Sequence, residues 1–94
     1  MIKSVENKRD EILRIAGRYG ATNIRIFGST ARGEGGPESD IDLLIDLEHG
    51  RSLLDLIAIK QDLQDLLGCK VDVVTEAAIS PRIRDEIIDQ AVNI

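Results

Sequence analysis

Asp40 and Asp42 stand two residues apart at the start of DIDLLIDL, a run from Asp40 to Leu47 in which Ile41, Leu43, Ile45 and Leu47 alternate with the other positions. On a strand such spacing sends both carboxylates out of the same face, where they can converge on one point. Two carboxylates held together repel unless a cation sits between them. Their hard oxygens suit magnesium, which keeps several waters and is commonly completed by substrate phosphates, so the pair predicts an ion held weakly until a nucleotide arrives. Asp72 lies mid-strand in KVDVVT, between valines, and a charge there needs a partner. If the strands carrying Asp42 and Asp72 are neighbours, three carboxylates meet, as in a two-metal phosphoryl-transfer site that clamps the attacking and leaving oxygens about 4 Å apart. One ion would then acidify an acceptor hydroxyl and the other would neutralise the leaving pyrophosphate.

Gly28 and Ser29 precede these aspartates in a glycine-rich loop, GSTARGEGGPES from Gly28 to Ser39. A residue without Cβ lets backbone amides approach a phosphate, and a hydroxyl can donate to it, so the pair reads as a phosphate cradle. The loop contains neither G-x-x-x-x-G-K-[ST] nor G-x-G-x-x-G, which argues against a P-loop kinase or a dinucleotide-binding enzyme. Arg32 has two readings, a contact to the triphosphate or a surface pair with Glu34. Asp46 shares the face of Asp42 but lies roughly 13 Å further along at strand rise, and reads as structural or at an edge. His49, the single histidine, sits in a turn beside Gly50 with no nucleophile near it and reads as solvent-exposed.

The elements that must position these residues follow from periodicity. Ser4 to Tyr19 carries apolar residues at helical spacing, with Ser4 and Gly20 as start and stop signals. Residues 23 to 27 read as a short strand ending at Gly28, with a possible helical turn over residues 29 to 32 of the following loop. Residues 40 to 47 form a second strand. Leu53, Leu54, Leu56, Ile57, Ile59, Leu63, Leu66 and Leu67 supply the buried stripe of a long helix that Gly68 ends, and residues 70 to 75 form a third strand. Ser80 and Pro81 open a last helix running towards Ala91. This order predicts a small mixed β-sheet packed with helices, an α+β fold.

Ninety-four residues suffice for a single domain, spanning 1–94, because neither half alone would bury enough surface. The core must be aliphatic, since Tyr19 and Phe27 are the only aromatic residues. A net charge of −5 and a pI near 4.7 argue against nucleic acid as a partner, because gripping phosphates needs a basic surface. Cys69, the single cysteine, can form no internal disulfide and reads as a small core residue. The charged N-terminus carries no cleavable signal pattern and no apolar run approaches the length of a membrane span, so a cytoplasmic location is expected, with no membrane partner.

Taken together, GS, ten intervening residues and DID, here GSTARGEGGPESDID, resemble the signature of the DNA polymerase beta-like nucleotidyltransferase superfamily. With SDIDLLID, KVDVVT and the closing SPRIRDEII, nearly the whole chain is similar to the minimal nucleotidyltransferases that act as antitoxins beside HEPN-domain toxins. The resemblance implies the polymerase beta-like palm fold, with Gly28 and Ser29 contacting phosphate, Asp40 and Asp42 binding metal, and Asp72 as the third carboxylate that helps deprotonate the acceptor. It further implies ATP as donor, two Mg2+ ions bound with it, and transfer of AMP to a tyrosine of a HEPN-type toxin partner. Two other functions compete: an antitoxin that neutralises its toxin by covering it without chemistry, and a nucleotidyltransferase acting on a small molecule or an RNA end. The last is disfavoured by the missing substrate domain and by the acidic charge.

Overall fold

The computed structural model describes residues 3–28 and 41–94. Among these the chain runs through α1 (Lys3–Asn7), α2 (Arg9–Arg18), β1 (Ala21–Phe27), β2 (Ile41–Leu47), α3 (Leu53–Leu67), β3 (Val71–Thr75), a 3-10 turn (Glu76–Ala78), α4 (Pro81–Gln90) and β4 (Val92–Asn93). The four strands form one sheet in the order β3-β2-β1-β4. β1 pairs antiparallel with β2 and with β4, whereas β2 and β3 are parallel. A parallel pair cannot be joined by a tight turn, and α3 supplies the crossover between β2 and β3. The mixed sheet packed with helices is the architecture that the pattern of elements predicts.

Strand alternation decides where the core sits. Ile24 and Ile26 of β1, Ile41, Leu43 and Ile45 of β2 and Val71 of β3 point to one face, where Val5, Ile12 and Ala16 from α1 and α2 and Ile59 and Leu63 from α3 close over them. Cys69 is partly buried against this cluster, in keeping with its reading as a small core residue. α3 begins with a capping box: Ser52 accepts from the Leu54 amide while Asp55 accepts from the Ser52 amide at 3.0 Å. Pro81 stands in the first turn of α4 behind Ser80, as expected.

Three local features depart from the periodicity. The helix expected over Ser4 to Tyr19 is divided at Lys8, whose Nζ donates to the Leu66 carbonyl in the last turn of α3 at 3.2 Å. Leu53, Leu54 and Ile57 do not join the buried stripe of α3 and are 70%, 77% and 42% exposed. At about 100° per residue Leu54 and Ile57 fall on the far side of the helix from Ile59 and Leu63, and Leu53 stands beside the stripe at the first helical position, so counting apolar residues overstated the stripe. β4 was not foreseen, because a two-residue strand carries no period.

Tyr19 ties α2 to α3 by donating its hydroxyl to Asp62 at 2.8 Å. The bond to the Asp62 carboxylate, with desolvation, raises the phenol above its ordinary value of 10.0. Protonated Tyr19 therefore contributes to stability below that pH, and the contribution is lost as pH rises through the higher, folded-state value.

The opposite face of the sheet holds a buried cation that the sequence reading missed. Arg25 is 8% exposed, and its guanidinium donates to Asp46 at 3.2 Å and to Glu76 at 2.9 Å. Asp46 also accepts from the Asn23 side chain at 3.1 Å. The pairing joins β1, β2 and the 3-10 turn, and accounts for Asp46 as a structural residue. Arg25→Met should lower the unfolding free energy by about 1–2 kcal/mol, since the bonds are charge-assisted but both carboxylates can return to water. Urea denaturation checks this, and a variant as stable as wild type would show the pairs to be energetically idle.

Candidate active site

Parallel pairing sets β2 and β3 in a register that matches Ile41 with Val71 and Asp42 with Asp72. Ile41 and Val71 are fully buried among the helices, so the next residue on each strand faces the other way. Asp42 and Asp72 thus leave the same face from adjacent strands, whose axes lie about 4.8 Å apart. The register is pinned beside them. The Ile41 amide donates to the Lys70 carbonyl at 3.0 Å, and the Val71 amide donates to Gln64 Oε1 of α3 at 3.2 Å. Gly68, in the left-handed conformation at φ 69°, ends α3 and lets the chain turn back into β3.

Phe27 pairs with Asp42 across β1 and β2, which brings the following residue, Gly28, against the same carboxylate. Gly28 has φ +73°, and a Cβ placed on it would stand 2.6 Å from Asp42 Oδ2. A glycine is therefore required there for two reasons, its backbone conformation and the approach of the carboxylate. Asp72 is half-exposed, and Lys60 of α3 places its Nζ 3.8 Å from Asp72 Oδ1. Sequence reading did not single out Lys60, because its relation to Asp72 depends on how α3 lies against β3.

Of the residues that the sequence marks, Gly28, Asp42 and Asp72 are thus brought together at the start of the two parallel strands. Ser29, Arg32 and Asp40 lie outside the described residues, as does the helical turn expected over residues 29 to 32. Among the described residues no group of three or more His, Cys, Asp or Glu gathers to hold a metal. The two carboxylates that do meet offer hard oxygen ligands to one side of a hard cation, a donor set that fits magnesium completed by phosphates and water. His49 is exposed, as expected. It lines an open cleft with Asp46, Arg51 and Glu76 at the other ends of β2 and β3, away from Asp42 and Asp72. Arg51 in that cleft is held by Glu48 at 2.7 Å, which raises its pKa above the ordinary arginine value.

Residues 7–94 match the family model described as the nucleotidyltransferase domain. The chain belongs to this nucleotidyltransferase family. The resemblance carried by GSTARGEGGPESDID is borne out. The nucleotidyltransferase domain is 38% identical over 91 residues to a Methanocaldococcus jannaschii protein named as a candidate protein adenylyltransferase, covering 97% of this chain and 98% of the relative. It superimposes with a TM-score of 0.89 on a solved structure described as a candidate minimal nucleotidyltransferase, at 40% identity and covering 98% of this chain and 94% of that one. A crystal structure of a toxin-antitoxin complex, MntA-HpeT with a Y104A mutation, is similar at a TM-score of 0.73 and 25% identity, covering 95% of this chain and 70% of that one. Among the described residues no helix of the nucleotidyltransferase domain is long and apolar enough to cross a membrane.

Proposed function

We propose that this nucleotidyltransferase acts as an antitoxin by transferring AMP from ATP to a tyrosine hydroxyl of a HEPN-type toxin. The observation that carries the reading is the in-register pair of Asp42 and Asp72 on adjacent parallel strands, with Gly28 closed against Asp42. Protein adenylyl transfer is supported by the name of the Methanocaldococcus jannaschii relative, and a toxin partner by the MntA-HpeT complex. The acidic net charge of −5 favours a protein acceptor over nucleic acid. Residues 1–94 act as a single catalytic domain, in the cytoplasm with their partner.

In this reading Asp40, Asp42 and Asp72 hold two Mg2+ ions together with the triphosphate. Bound magnesium supplies charge neutralisation at the phosphates and lowers the pKa of the acceptor hydroxyl. Gly28 lets the chain pass close to Asp42, and Gly28, Ser29 and Arg32 bind the triphosphate. Asp72 takes up the acceptor proton as the tyrosine oxygen bonds to the α-phosphorus and the bond to the departing pyrophosphate breaks. The test is the intact mass of the toxin co-expressed with this protein. An added mass of one or more AMP groups is expected. A neutralised toxin of unaltered mass would instead favour inhibition by covering.

A further inference from the structure

Lys60 and Asp72 come from opposite sides of the sheet. α3 lies on the core face, whereas Asp72 leaves the other face, and they meet because β3 is an outer strand that a long side chain can reach around. Their separation of 3.8 Å is beyond hydrogen-bond length, and both side chains are 41% exposed. The attraction is thus one of charge, held loosely and open to water. A lysine suits this arrangement: its ammonium is a point charge on a flexible stem, without the fork by which arginine would clamp a carboxylate.

We propose that Lys60 is a stand-in cation, which offsets the charge of the Asp42 and Asp72 pair before metal arrives and competes with the metal for Asp72. The inference rests on the reading of Asp72 as a metal ligand. One positive charge beside two in-register carboxylates relieves part of their repulsion. Its looseness lets a divalent ion displace it, after which the lysine is freed towards solvent or the bound phosphates. Lys60 is in this sense a positioning residue, acting through Asp72.

The test is Mn2+ binding to the nucleotide-free protein, followed by the electron paramagnetic resonance signal of free Mn2+, in wild type, Lys60→Met, Lys60→Gln, Lys60→Arg, Asp72→Asn and the Lys60→Met/Asp72→Asn double variant. Removing the competing charge should tighten Mn2+ binding about two- to fivefold in the Met and Gln variants, the range set by an exposed ion pair. The Arg variant should bind no tighter than wild type. Asp72→Asn should bind more weakly, and adding Lys60→Met to it should change nothing further, since the competition acts at Asp72. Unchanged or weaker binding in Lys60→Met and Lys60→Gln, while Asp72→Asn is weakened, overturns the inference and leaves the metal site standing. Asp72→Asn that binds Mn2+ like wild type overturns the ligand role of Asp72 and the inference with it. Unfolding of both neutral variants would make Lys60 a structural residue and equally overturn it.

Discussion

Asp72→Asn is expected to reduce the rate of AMP transfer by about a hundredfold to ten-thousandfold, the usual contribution of a positioned proton acceptor, while the fold and partner binding survive. The substitution deletes a charge and keeps the volume. Asp72 sits on a strand whose backbone is tied to the Gln64 side chain at Val71 and to β2 from the Lys70 carbonyl onwards, and its one described ion pair, to Lys60, is loose, so little stability depends on the carboxylate. The measurement combines initial rates with purified toxin and ATP, thermal melting, and co-elution with the toxin. An Asn variant that melts and binds as wild type but transfers no AMP is the expected result. Full turnover by that variant would remove Asp72 from the chemistry and leave it as a solvated edge residue.

Gly28→Ala should damage both the fold and the site. At φ +73° an L-residue costs about 1–2 kcal/mol, and the new methyl would stand 2.6 Å from Asp42 Oδ2, too close for either to stay in place. The nearest atom belongs to a carboxylate that can swing away, so the chain should still fold, with Asp42 displaced from the face it shares with Asp72. Melting should therefore fall modestly, and Mn2+ binding in the presence of ATP should fall to the level of Asp42→Asn. A Gly28→Ala protein with wild-type Mn2+ affinity would show that metal does not depend on the placement of Asp42.

Much of this arrangement was legible in the amino-acid sequence, because it is carried by local pattern. Alternation in DIDLLIDL put Asp42 on the face opposite Ile41 and Leu43, and KVDVVT put Asp72 opposite Val71, so a single further fact, that β2 and β3 are parallel neighbours in register, brings the carboxylates together. That fact is a tertiary one and could only be stated as a condition. Arg25 and Lys60 stayed hidden for the same reason. Arg25 is buried because Asp46 and Glu76 arrive from β2 and from the 3-10 turn, and Lys60 meets Asp72 only around the edge of the sheet. Leu54 and Ile57 misled in the opposite direction, since an apolar residue near a buried stripe counts towards it until helical phase is considered, and Leu53 did so from the exposed first position of the helix. β4 offered too few residues to show a period at all.

Purified toxin in about tenfold excess over this protein, incubated with ATP and magnesium and followed by intact mass and an assay of the toxin's activity, tests the central claim most directly. An enzyme turns over, so the account predicts that all of the toxin gains AMP and loses activity, that Asp42→Asn yields neither change, and that removing ATP abolishes protection of the excess. Loss of toxin activity limited to one toxin per molecule of this protein, independent of ATP and unaccompanied by any added mass, would contradict catalysis and make the chain an antitoxin that works by occupying its partner.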